Sequence, residues 1–164
     1  MKQYLSSIVL LFLAIVMLCG CATAEERAAR AALQAAKVKT ALSEKHYLIN
    51  VDRMYPLSGA PRHLTFGYSI EVRNDSLISY LPYFGRAFNV PYGGGKALNF
   101  SEPIGSYQEQ KKSDGQWHIE IGVKNEEDTY SYYIDVFDNG NTSIAVQSRE
   151  REPVSFSGMM TFDE

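Results

Sequence analysis

Trp117-His118-Ile119-Glu120-Ile121-Gly122-Val123-Lys124, followed after a short acidic turn by Tyr130-Ser131-Tyr132-Tyr133-Ile134-Asp135-Val136, is the stretch that decides the fold. Large apolar residues alternate with polar or small ones, and a period of two sends successive side chains to opposite faces of a strand. One face is buried and the other wet. Strands of a parallel sheet are buried on both faces and read as unbroken apolar runs, so this alternation predicts antiparallel strands. Leu64, Phe66, Tyr68, Ile70 and Val72 alternate in the same way with Thr65, Gly67, Ser69, Glu71 and Arg73.

Turn-forming residues punctuate these runs at Ser58-Gly59-Ala60-Pro61, Asn74-Asp75, Ser113-Asp114-Gly115, Asn125 to Asp128 and Asn139-Gly140. Strands are expected near residues 46–53, 63–73, 76–81, 84–89, 104–110, 116–124, 129–137, 142–148 and 153–162. Such a count predicts a mainly β domain, an antiparallel sandwich or closed barrel of about eight or nine strands. The pattern does not separate the two.

Upstream the period changes. Residues 22–45 are rich in Ala, Glu, Lys, Arg and Leu and hold no Gly or Pro, which predicts one N-terminal α-helix. Thr23 and Glu26 have the spacing of a capping box at its start. Only Leu33, Val38 and Leu42 offer large apolar side chains, so the helix is either a stalk or a lightly packed lid.

The first twenty residues carry Lys2, an uncharged apolar run from Ile8 to Leu18 and a small-residue exit, the three parts of an export signal. Eleven apolar residues are too few for a membrane span, which needs roughly twenty. Leu18-Cys19-Gly20-Cys21 resembles the bacterial lipobox, with Cys19 where a small residue without sulfur is more usual. The resemblance implies cleavage before Cys21 and its acylation as the lipid-bearing first residue. The expected organisation is a signal peptide at 1–20, a lipid-anchored helical tether at 21–45 and a β-rich domain at 46–164. Cleavage would leave Cys21 as the only cysteine, so neither a disulfide framework nor a thiolate metal site is expected. A membrane is thus the first expected partner, in the cell envelope and at the outer membrane. Glu25 and Glu26 resemble the acidic signals that send some lipoproteins to the cell surface, although they also suit a first helical turn.

With Lys2 removed the chain keeps 15 of its 16 basic residues against 19 acidic ones, a net charge of −4, which argues against nucleic acid as a partner. No cofactor is implied. Pro91-Tyr92-Gly93-Gly94-Gly95-Lys96 lacks the spacing and the following Ser or Thr of a phosphate-binding loop. His46, His63 and His118 have no second ligand at a metal-binding spacing, and His118 falls on the wet face opposite Trp117. Asp135, Asp138, Asn139 and Asn141 resemble a calcium loop without its distal Glu, and an Asn-Gly hairpin is the simpler account. Neither a Gly-x-Ser-x-Gly elbow nor any other catalytic motif is present. Asp75-Ser76-Leu77 resembles a short bacterial O-glycan acceptor, and it also reads as an ordinary turn.

The stretch that stands out is Tyr80-Leu81-Pro82-Tyr83-Phe84-Gly85-Arg86-Ala87-Phe88, continued by Pro91-Tyr92. Aromatic faces beside an arginine are the chemistry of recognition surfaces. Tyr80, Tyr83, Phe84, Arg86 and Tyr92 are therefore the candidate binding residues. The competing account is a bent strand whose aromatics close one end of the core, with Arg86 paired to a carboxylate. β domains commonly bury such residues, which favours that account.

Leu81-Pro82-Tyr83-Phe84-Gly85-Arg86-Ala87 also resembles the signature of a family of bacterial lipoproteins catalogued as domain of unknown function 4251. Further matches are Pro91-Tyr92 with the following glycines, Phe100, Trp117, Asn139-Gly140 and Val154-Ser155-Phe156-Ser157-Gly158, so the resemblance spans roughly residues 35–161. It implies an envelope lipoprotein with a compact β-rich domain from Gram-negative gut bacteria, and it brings no catalytic residues. The functional expectation is a non-catalytic module that binds an envelope protein or glycan through the end of the β domain near Tyr83, Arg86 and Tyr92. Two rivals stand beside it. One is a barrel that carries an apolar ligand between Phe66, Tyr68, Trp117 and Tyr132, and the other is a hydrolase whose site assembles only in space.

Overall fold

The computed structural model describes residues 24–65, 67–89, 95–112 and 115–162. The expected leader, Cys21, Phe66, Tyr92 and the glycine-dense loop up to Gly94 lie outside the described residues. Two compact units are present, Met1–Ala32 and Leu33–Glu164, and the first contributes only the start of the helix to the described chain.

Helix α1 runs over Ala24–Ser43. Among the described residues nine strands follow: β1 His46–Pro56, β2 Arg62–His63, β3 Ser69–Arg73, β4 Ser76–Tyr80, β5 Asn99–Lys112, β6 Gln116–Lys124, β7 Thr129–Phe137, β8 Asn141–Ser148 and β9 Val154–Thr161. All pairings are antiparallel. They run β1-β3-β4-β5-β6-β7-β8-β9, and β9 pairs back onto β1. The result is a closed eight-stranded barrel, with β2 as an extra two-residue strand beside Arg53 and Met54 of β1. Closure is the alternative that the alternation pattern left open, since it removes the edges that a sandwich would keep.

The closing seam holds a bulge. Val51 faces Gly158 and Arg53 faces Ser157, so Asp52 is the extra residue. A Cβ on Gly158 would overlap the Asn50 carbonyl oxygen, so glycine at this position lets β1 and β9 meet.

Alternation places Ile119, Ile121, Tyr130, Tyr132, Ile134, Ile144 and Phe156 inside the barrel, all fully buried or nearly so. An eight-stranded barrel is just wide enough for its own side chains to fill. Phe100 stacks on Tyr130 at 5.0 Å between ring centres and meets Tyr132 edge-on at 6.3 Å. At one end the C-terminal half of α1 contributes Val38, Ala41 and Leu42 to the same core, while Leu33 stays exposed. From Leu33 onward the helix is therefore a lid.

Three strand expectations are corrected. Residues 84–89 form no strand; among the described residues their only ladder contact is one bridge, Ala87 to Arg151, because Pro82 withholds an amide and the chain bends at Gly85. The run expected over 63–73 divides into β2 and β3 around Gly67, which has φ 104°. Strand β5 begins at Asn99, earlier than expected, and includes Pro103.

Candidate functional site

Opposite the helix, residues 81–89 cross the other end of the barrel as a strap. Leu81 anchors it by complete burial in the core. The Tyr83 hydroxyl lies 2.8 Å from the Arg86 carbonyl and 3.1 Å from that of Glu152, so its one proton holds the strap's bend against the segment between β8 and β9. Burial pushes the Tyr83 hydroxyl above its ordinary pKa, and the Glu152 charge adds to the effect. A Cβ on Gly85 would stand 2.7 Å from the Tyr83 hydroxyl, so glycine there permits the close approach. Arg86 N donates to Glu152 Oε2 at 3.0 Å, Glu152 N donates to the Arg86 carbonyl at 3.0 Å, and Phe88 N donates to the Glu150 carbonyl at 2.7 Å.

Beneath the strap lies a charged cluster. Arg151, only 4% exposed, donates from Nη2 to Glu127 Oε2 at 3.3 Å, and its Nη1 lies 3.9 Å from Asp128 Oδ2. Its guanidinium stands 5.9 Å from the Tyr83 ring centre. Asp128 accepts from the amides of Thr129, Arg149 and Glu150. Glu127 Oε1 accepts from the Lys96 amide at 2.8 Å. The Lys96 amide thus serves one of the protein's own carboxylates.

On top of this scaffold the aromatic side chains divide. Tyr83 turns in, whereas Tyr80, Phe84 and Phe88 remain 53%, 46% and 64% exposed. Tyr80 stacks on Tyr68 at 5.5 Å. The Arg62 guanidinium lies 4.2 Å over the Phe84 ring. The Arg86 side chain is exposed and, among the described residues, has no ion-pair partner, contrary to the carboxylate pairing weighed from the sequence. The strap thus combines both readings of the stretch: Leu81 and Tyr83 close the core, and Tyr80, Phe84 and Arg86 face solvent. Sequence reasoning missed Arg62 and Arg151 and set Tyr68 in the wall of a ligand space, because nothing local signals that these residues gather beside the strap.

Other candidates resolve simply. His118 Nδ1 and Asp135 Oδ1 are 2.7 Å apart on the outer wall, and the Nε2 edge, where a serine nucleophile would belong, faces Glu120 Oε1 at 3.4 Å. Asp138 to Asn141 form a hairpin in which Gly140 N donates to the Phe137 carbonyl and Asn141 N to Asn139 Oδ1. Among the described residues, no group of three or more metal-ligating side chains converges. Trp117 and Tyr132 belong to the hydrophobic core cluster, and Tyr68 lies against Tyr80. A solvent-open groove of about 670 Å³ runs beside α1, with Lys37 and Arg73 offset by Glu44 and Glu71 along its walls.

These features define a class: a closed, side-chain-filled antiparallel barrel with a helix over one end and an aromatic strap over the other. The chain belongs to the family described as Domain of unknown function (DUF4251), whose model matches residues 29–160. A crystal structure of a DUF4251 family protein from Bacteroides eggerthii DSM 20697 is similar, with a TM-score of 0.60 at 10% identity over 78% of this chain and 87% of that one. At that identity the likeness concerns the fold. No curated protein matches the chain.

Proposed function

We propose that this chain is a non-catalytic envelope lipoprotein, anchored through Cys21, that holds a protein partner on the strap end of its barrel. The observation that carries the reading is the division within the strap: Tyr83 is used to hold the loop rigid, while Phe84, Phe88 and Arg86 are left exposed. Rigid aromatic area beside a directional cation is the composition of binding hot spots, and a pre-ordered loop loses little entropy on docking. The partner chemistry this surface favours is an apolar side chain next to a carboxylate. A glycan is favoured less, because Phe84 and Phe88 lack hydroxyls and Arg62 already occupies one face of Phe84.

The test is a pull-down from native envelopes with the anchored chain, comparing wild type with a Phe84, Arg86, Phe88 triple-alanine variant. These side chains are exposed, so the triple change should cost no more than about 1.5 kcal/mol and leave the fold intact. A protein retained by wild type and lost from the variant supports the reading. Equal retention by both, or retention of glycan alone, overturns it. The anchor has its own check: globomycin, which blocks lipoprotein signal cleavage, should accumulate the uncleaved form, and Cys21→Ser should release the chain from membranes.

A further inference from the structure

Strand β5 outruns its neighbour β4. Asn99 to Pro103 pair with β4, whereas from Ile104 to Lys112 the strand pairs, among the described residues, with β6 alone. Ile104 N still donates to the Asp75 carbonyl at 2.7 Å, and among the described residues this is the last backbone contact on that side. Gly105 to Lys112 therefore form an unpaired strand edge, and all of these residues except Tyr107 are exposed. Tyr107 ties the base of the projecting hairpin to the barrel: its hydroxyl lies 3.4 Å from that of Tyr47, and Lys45 Nζ sits 4.8 Å from its ring centre. A held, open row of amides and carbonyls is a template for another strand.

The charges along this edge select the occupant. Glu109 and Lys111 stand opposite Ile119 and Trp117 in the β6 register, so they share one face with Gln110 between them. Antiparallel pairing with the same edge of a second copy, with Gln110 on the twofold axis, sets Glu109 of each copy against Lys111 of the other. It also sets Gln108 against Lys112. Centring the pairing on Glu109 or on Lys111 would instead place like charges directly opposite, which is unfavourable. We propose that this chain forms a twofold homodimer by β5-to-β5 pairing in the Gln110-centred register, which joins the β5–β6–β7 wall of each barrel into one continuous sheet. The edge lies at the helix end of the barrel, away from the strap, so the dimer leaves the strap open and stands or falls separately from partner binding.

Sedimentation of the full chain in detergent tests this with a charge-reversal cycle. Wild type should sediment as a dimer. Glu109→Lys and Lys111→Glu should each weaken the dimer by about tenfold or more, because each replaces two attractive contacts with two repulsive ones. The double swap should restore the dimer. Both residues are exposed, so far-UV circular dichroism should be unchanged in every form. A wild type that is monomeric at all concentrations overturns the proposal. So do single reversals that dimerise like wild type, or a double swap that fails to recover.

Discussion

The Tyr132 hydroxyl donates to Ser79 Oγ at 3.0 Å, joining β7 to β4 through the middle of the barrel. Ser79 Oγ passes its own proton to the Leu98 carbonyl at 2.7 Å, so a polar chain crosses the middle of the barrel with its groups matched. Burial pushes the Tyr132 hydroxyl far above its usual pKa, which keeps it a donor. Tyr132→Phe should destabilise the domain by about 1–2 kcal/mol, since Ser79 loses its donor while the ring still fills its space. Urea denaturation should show a lower midpoint with an unchanged slope.

Gly158 gives the sharpest steric prediction. It pairs with Val51 at the closing seam, and an added methyl would meet the Asn50 carbonyl, which is backbone and cannot swing aside. Gly158→Ala should cost about 3 kcal/mol by separating β1 from β9. Hydrogen exchange should show lost protection along these two strands before the rest of the barrel; uniform protection would contradict the steric account.

Removing Arg151 should act on the strap from below. Arg151→Met leaves Glu127 and Asp128 without their shared cation, and breaking a buried ion cluster of this kind costs about 3–5 kcal/mol. The amides of Arg86, Phe88 and Glu152 should lose exchange protection first, because they tie the strap to the segment that contains Arg151. Pairing the change with Glu127→Gln should recover part of the loss, which thermal melts of the single and double variants would reveal.

Alkali should unfold the domain through its buried tyrosines. Burial pushes Tyr107 up to about 12 and Tyr47 well above its usual value, whereas an unfolded tyrosine titrates near 10. Between these values the unfolded chain has released protons that the folded one keeps. Stability is therefore full below about pH 10 and falls as pH rises towards 12. Urea midpoints measured from pH 9 to 12 should decline, and Tyr107→Phe should flatten the decline.

Most strands were legible because alternation is a local property: Trp117 to Val123 and Tyr130 to Val136 show their buried faces within a few residues, and both lie where expected. The strap was not. Residues 84–89 have aromatic content suited to a strand, but whether they pair depends on Glu150 to Glu152, more than sixty residues further on. The division of the aromatic stretch was likewise hidden, since nothing near Tyr83 or Arg86 in sequence tells which side chain Glu152 and Arg151 will hold down.

From the chain alone come the antiparallel β class, the turns, the helix and the aromatic stretch, all carried by short-range periodicity and composition, and the family resemblance, carried by the motif from Leu81 to Ala87. Tertiary structure alone decided that the sheet closes into a barrel instead of a sandwich. Closure rests on β1 meeting β9, a contact between residues about a hundred positions apart whose fit depends on the bulge at Asp52 and the bare Cα of Gly158. It also decided which aromatics face solvent and which strand edge stays open. Both are set by where distant segments end relative to one another, a relation that local pattern does not encode.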